Sequence, residues 1–236
     1  MNYDCLIVDD EEVLAKNTCE YFNMFEVKTK VVFSITEAEE FFKENEASLL
    51  LLDINLGDGS GFDFCRKIRE SRNLPILFIS ARNTDDDKII ALNIGGDDYV
   101  EKPYSLGVLL AKVRVVLKRY GAASGENAGE KEEAKEFKDG NITIDYVNKK
   151  VFHAGEEKKL TSLEYSLLKY LTDNKNRLLT KQELFDNVWN DRFTSDGTLN
   201  VHIRKLREAI EEDPQNPKRI ITVWKEGYRY ETGEKQ

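Results

Sequence analysis

No run of about 18 apolar residues occurs in this 236-residue chain, and no apolar h-region follows its first residues, so neither a membrane span nor an export signal is expected. Cysteine is scarce. Cys5, Cys19 and Cys65 share no metal-type spacing and sit inside apolar patterns, which reads as buried, reduced thiols in a cytoplasmic protein. Net positive charge is missing too: the formal charge of −9 argues against a nucleic-acid binder until the chain is divided. Residues 1–120 carry −7, residues 121–136 carry −3 and residues 137–236 carry +1. The acidity therefore belongs to the front, and the back is free to be locally basic. With 40% hydrophobic and 33% charged residues the composition is that of a soluble globular protein, long enough for one large domain or two medium ones.

What is present divides into two halves. "GAASGENAGEKEEAKEF" is small, polar and acidic without apolar periodicity, and reads as a flexible linker over 121–136, spanning on the order of 20 Å. Before it, apolar strands alternate with helical patterns: "CLIVDD", "KTKVVF", "SLLLLD", "PILFISA" and "DYVEKP" are each followed by a helix. Five such units imply an α/β doubly wound five-stranded parallel sheet. After the linker, "NITIDY" and "KKVFHA" read as short antiparallel strands. Two helices follow, opened by the capping boxes Thr161–Glu164 and Thr180–Glu183. A third helix near 197–211 and a β-hairpin in "IITVWKEGYRY" complete an α+β winged helix-turn-helix order.

In "LLLLDINLGDGSGFDF" a strand buried on both faces ends in a carboxylate, Asp53, before a glycine-rich turn. The first strand ends in Asp9-Asp10, the fourth in Ser80 and the fifth in Lys102. Strand ends of a doubly wound sheet converge on one crevice. Three carboxylates there repel unless a divalent cation sits among them, and such oxygen ligands suit Mg²⁺. A carboxylate nucleophile, a metal, a lysine and a hydroxyl donor are what phosphoryl transfer requires.

"LIVDDEE", "LLLLDINLGDGSG", "ILFISAR" and "GGDDYVEKPYS" resemble the receiver domain of two-component response regulators over residues 1–120. The resemblance implies a flavodoxin-like fold and an Asp53 that accepts a phosphoryl group from a sensor histidine kinase. It implies that Asp10, Asp53, the Asn55 carbonyl and Asp9 (through water) hold Mg²⁺. Ser80 and Lys102 would bind phosphoryl oxygens, Lys102-Pro103 would be cis, and Tyr99 would be the aromatic switch residue. The family's receiver dimer pairs Asp97 with Arg119 and Asp98 with Lys112 across subunits, while Val108 stands where a partner for Lys88 is expected.

In the third helix of the second half, Leu199, Ile203, Leu206 and Ile210 form one apolar stripe. The opposite face is read as Gly197, Thr198, Val201, Arg204, Lys205 and Glu208. Thr198 and Val201 methyls suit thymine methyls, and Arg204 and Lys205 suit guanine edges or phosphates. His202 and Arg207 flank that face and suit phosphate contact. Residues 137–232 resemble the OmpR/PhoB-type effector, through "LTSLEYSLLKYL", "LTKQELFDNVW", "VHIRKLREAI" and "GYRY". The resemblance implies a transcription factor that is not an enzyme, binds double-stranded promoter DNA as a homodimer once activated, and leaves RNA polymerase as a further partner. Two positions depart from the pattern: Gly197 stands where arginine is frequent, and Trp224 replaces the wing arginine. Either Lys225 substitutes for that arginine or Trp224 packs.

Two rival readings are a Mg²⁺-dependent phosphatase with an aspartyl intermediate, and a regulator that keeps its receiver only for dimerisation. The first would carry Asp-x-Asp on the first strand; here the strand-1 acids are adjacent. The second would not need all five site residues.

Overall fold

Leu49, Leu50, Leu51 and Leu52 are all fully buried, and this leucine run lies at the centre of a sheet covered on both faces in the computed structural model. The structure describes residues 1–82, 84–122, 135–189 and 195–233, with the backbone alone for 119–122. Most of the linker expected over 121–136 lies outside the described residues. The chain divides into two compact units that part near residue 125, and each is described by itself.

In the first unit, β1 (Cys5–Val8), β2 (Thr29–Val32), β3 (Leu50–Asp53), β4 (Ile76–Ser80) and β5 (Asp98–Glu101) form a parallel sheet in the order β2-β1-β3-β4-β5. The order reverses between β1 and β3, the switch point where such sheets bind ligands. Alternation along the strands divides the core. Leu6, Val8, Leu50, Leu52 and Phe78 pack with residues of α2 (Ile35–Glu44), α3 (Gly61–Ser71) and α4 (Asp85–Asn93). Cys5, Ile7, Leu49, Leu51 and Ile79 pack with α1 (Glu12–Met24) and α5 (Leu106–Ala122). Cys5 and Cys65 are buried and Cys19 half-buried, and burial raises the thiol pKa of Cys5 and Cys19, as expected of inert thiols.

The second unit opens with a four-stranded antiparallel sheet, β6 (Glu136–Asp139), β7 (Ile142–Asp145), β8 (Lys150–His153) and β9 (Glu156–Lys158). The sequence pattern shows only the middle two, because "EFKD" and "EEK" lack apolar alternation; β6 also takes Glu136 from the expected linker. Helix α6 (Ser162–Asp173), helix α7 (Lys181–Leu184) with its π-helical continuation Phe185–Trp189, and helix α8 (Asp196–Ile210) follow. A second sheet, in the order β10 (Leu179–Thr180), β12 (Gly227–Tyr230), β11 (Ile220–Val223), closes the unit. The Thr161–Glu164 capping box forms in both directions. At α7 only one arm exists: Thr180 accepts from Glu183 N, while the Glu183 carboxylate binds Arg177 and Tyr170.

Glu164 is only 4% exposed. Burial works against its charge, but His202 and Lys205, together with the Thr161 N–H, push its pKa down to about 2. Lys205 Nζ lies 3.0 Å from Glu164 Oε1, and His202 Nδ1 lies 3.7 Å away, too far for a hydrogen bond. A depressed carboxylate pKa stabilises the fold above the unfolded value near 4.5, and the gain is lost as pH falls toward 2. Glu164→Gln should therefore cost about 2–3 kcal/mol at pH 7 and flatten the acid limb between pH 4.5 and 2. Both tryptophans lie in this unit, so urea melts followed by tryptophan emission report it alone; an unchanged acid limb would refute the assignment.

Candidate metal centre and nucleic-acid interface

Strand register builds the first site. Leu52 pairs with Val8, so the next residues, Asp53 and Asp9, stand side by side; Asp53 pairs with Ile79 and Ile79 with Val100, so Lys102 lies two residues further out at the same end of the sheet. Carboxylate oxygens of Asp9, Asp10 and Asp53 lie within 4.8 Å of one another. Lys102 Nζ stands 2.7 Å from Asp53 Oδ2, 2.8 Å from Asp9 Oδ2 and 2.8 Å from Glu11 Oε1. Burial opposes the ammonium charge, yet Asp53, Asp9 and Glu11 outweigh it and hold the lysine pKa above its ordinary value. Asp9 is fully buried, and its desolvation raises its pKa despite Lys102. Its Oδ2 is in ion-pair contact with Lys102 but receives no directed hydrogen bond, an acceptor open to a cation. Three hard oxygen donors with such an atom fit Mg²⁺.

The surrounding turns are equally constrained. A Cβ on Gly61 would lie 2.0 Å from the Asp53 carbonyl oxygen, so only glycine lets α3 start there. Asp58 receives Ile35 N, Thr36 N and Thr36 Oγ1, tying the loop after Asp53 to the start of α2. Lys102-Pro103 is cis. Ser80 is fully buried, its Oγ accepting from Arg82 N at 3.3 Å.

The loop after β4 links several of these parts. Arg82 Nη2 donates to Asn55 Oδ1 at 2.7 Å, its Nη1 reaches Asp87 of α4 at 3.5 Å, and its carbonyl accepts the Tyr99 hydroxyl. Tyr99 is half-buried; burial raises its pKa, with the Ser80 hydroxyl working the other way. Glu11 and Arg82 were not assigned contacts from sequence. Glu11 had a signal, as the acid following Asp9-Asp10; Arg82 is too far along the chain from Asn55 for spacing to show it.

The charges expected to pair across subunits have partners within the chain. Asp97, 4% exposed, binds Arg69 at 2.8 Å and accepts Ile76 N. Asp98 pairs with Lys112, both buried. Lys88, expected to lack a partner, pairs with Glu101 and reaches Asp85. The Arg119 side chain lies outside the described residues. Among the residues that α4 and α5 leave exposed are three large apolar side chains, Ile89, Ile90 and Val108.

On α8 the stripe Leu199, Ile203, Leu206 and Ile210 is buried as expected. The solvent face is narrower than its periodicity suggested. Thr198 and Val201 are buried, at 5% and 7% exposure, and present no methyl to a groove in this structure. His202 is fully buried, its ring 5.8 Å from that of Trp189, and is no phosphate ligand. Lys205 is turned inward to Glu164, and Arg207 donates to Ile220 O and Thr222 Oγ1 at the wing root. Gly197, Asn200, Arg204 and Glu208 are exposed, with Arg204 Nε 3.4 Å from Glu208 Oε1. Asn200 was missed; its Oδ1 accepts the Tyr228 hydroxyl of β12 at 2.7 Å, fixing helix to wing. Trp224 does not pack: it is 80% exposed, beside an exposed Lys225 with φ of 65°.

Comparison with known proteins gives a family for each unit. Residues 5–114 match the family described as "Response regulator receiver domain", and residues 155–230 match "Transcriptional regulatory protein, C terminal". The chain is 37% identical to the sensory transduction protein RegX3 of Mycolicibacterium smegmatis, over 96% of this chain and 98% of that one. It is 34% identical to the regulatory protein VanR of Enterococcus faecium, over 98% and 100%. A solved mutant of RitR shares the fold with a TM-score of 0.71 at 23% identity, over 98% of this chain and 100% of that one.

A divalent cation bound among these carboxylates would compete with Lys102 for them. Lys102→Gln should therefore raise Mg²⁺ affinity about tenfold, the effect of removing one neighbouring charge. Calorimetric titration checks this; an affinity unchanged from wild type would remove the three carboxylates as the cation's ligands.

Proposed function

Because the chain belongs to the OmpR/PhoB-type response regulators of two-component systems, in which a receiver is joined to a DNA-binding effector that regulates transcription, we propose that it is a switch operated by phosphoryl transfer from a sensor histidine kinase to Asp53. The observation that carries this reading is the convergence of Asp9, Asp10, Asp53 and Lys102 at the switch point of the sheet. An Asp53 carboxylate oxygen attacks the phosphorus of a phosphohistidine. The P–O bond forms as the P–N bond breaks, and the departing imidazole takes a proton from solvent. Asp9, Asp10, Asp53 and the Asn55 carbonyl would hold Mg²⁺, which when bound offsets the charge of the phosphoryl oxygens. Lys102, already 2.7 Å from Asp53, needs only to turn to a phosphoryl oxygen. The protein is a stoichiometric acceptor rather than an enzyme, and it acts in the cytoplasm.

The phosphoryl group adds roughly −1.5 to −2 charge at the site. Ser80 is drawn toward it, which breaks its bond from Arg82 N and loosens the loop that holds Tyr99. Tyr99 turns inward, and the face of α4, β5 and α5 changes its packing in favour of a homodimer. Since Asp97, Asp98, Lys112 and Lys88 are paired within the chain, association rests on Ile89, Ile90 and Val108 more than on new ion pairs. Two effectors then engage adjacent promoter half-sites, with α8 in the major groove and Arg204 facing the bases, where RNA polymerase is a further partner.

Intact-mass spectrometry after incubation with a small phosphodonor and Mg²⁺ should show one phosphoryl group on wild type and none on Asp53→Ala, with dimer formation by light scattering. Failure with both phosphodonor and kinase would leave a regulator that uses its receiver only for dimerisation. On DNA, Arg204→Ala should cost about 1–3 kcal/mol and relax base preference at one position per half-site. Uniform weakening across sequences would instead make Arg204 a phosphate contact.

A further inference from the structure

The wing of the effector ends in an indole that the protein itself does not cover. Val223 pairs with Gly227, so Trp224, Lys225 and Glu226 alone make the tip, closed by Glu226 N donating to Val223 O at 3.0 Å. The tip is held firmly. A Cβ on Gly227 would meet Leu179 O at 2.0 Å, Arg207 binds Thr222 on the strand leading in, and Tyr228 on the strand leading out binds Asn200 of α8. Trp224 is 80% exposed at the end of this rigid hairpin.

Leaving an indole in water forgoes a large hydrophobic gain, so its position calls for a partner. Two features say which. The only other large apolar side chain exposed among the described residues of this unit is Val147, on the turn between β7 and β8, so Trp224 is solitary rather than part of the contiguous apolar patch that a protein partner needs. The other two tip residues, Lys225 and Glu226, carry opposite formal charges that cancel, so the tip has no net charge with which to attract phosphates. A neutral tip carrying one planar apolar ring, bonded to the recognition helix, suits a narrow cleft with apolar walls. The minor groove is such a cleft, lined by deoxyribose.

We propose that Trp224 anchors the wing by burying its indole against the sugar walls of the minor groove, so that wing binding here is apolar and independent of salt. This rests on the reading of α8 and its wing as the DNA interface. The ring supplies contact area, while Arg204 on α8 supplies charge and base readout.

The test uses full-length protein and a duplex selected by the phosphorylated wild type from a random-sequence pool. Trp224→Ala should weaken binding about tenfold or more while the dependence of log affinity on log salt keeps the wild-type slope. Trp224→Phe should recover most of the affinity. Trp224→Arg should steepen the slope by about 0.9, one added phosphate contact. Wild-type emission should shift to the blue or quench on binding DNA, whereas Trp224→Phe, left with the buried Trp189, should show neither. Trp189 emission also reports that each variant is folded. Wild-type affinity in Trp224→Ala, or a wild-type emission indifferent to DNA, overturns the proposal and assigns Trp224 to a protein contact. If Arg204→Ala still weakens binding in that case, the DNA-binding reading stands without it. If the wild type selects no duplex, both fall together.

Discussion

One lysine set among buried acids governs the receiver. Asp9 and Asp53 are nearly or fully out of water at the ends of adjacent strands, and Lys102, just past the end of β5, offsets their repulsion. An arrangement of like charges with a single counter-ion is stable but not saturated. A divalent cation or an incoming anionic group at this place would each change what Lys102 is bonded to. The rest of the unit keeps this balance in place: the leucine core fixes the height of each strand end, and Gly61 and Asp58 hold the loop after Asp53 close to the sheet.

The effector repeats the device for a different end. Glu164 gathers Lys205 and His202 from α8 beneath the helix surface, so part of the helix's positive charge serves the fold and not the groove. This explains how a domain with a net charge of only +1 presents its readout through few residues. Asn200 and Arg204 remain outside, oriented by a tyrosine of the wing and by Glu208. Helix and hairpin are thus fastened together as one piece.

The convergence of Asp9, Asp53 and Lys102 was legible because charge at the end of a buried strand is costly and therefore informative, while the exposed Asp10 and the uncharged Ser80 were read from their places beside them. Glu11 offered the weaker signal of an acid following Asp9-Asp10, easily taken for an ordinary acid at the start of a helix. Asp98 and Lys112 were read as partners and do pair within the chain, whereas the contact of Asp97 with Arg69 has no signal in spacing, since a sequence does not tell whether a pair closes within one chain or between two. On α8, spacing identified the buried stripe but not its width. Whether Thr198, Val201 and His202 are covered depends on what packs against the helix, and that is set by residues distant in sequence, such as Glu164 and Trp189. Strands β6 and β9 were invisible because edge strands made of charged residues have no alternation to read.

Asp139, on the strand by which the chain enters the effector, accepts the Tyr230 hydroxyl and the Gly233 N–H and pairs with Arg219. Tyr230 ends the strand that returns from the wing tip, and Arg219 stands just before the strand that leads to it. In mechanical terms, the entering chain is fastened to the base of the hairpin. A pull arriving along it is carried through a buried carboxylate into both wing strands, while α8 is loaded only afterwards, through their side chains. The point at which the effector receives force is stiff, and it lies at the root of the wing.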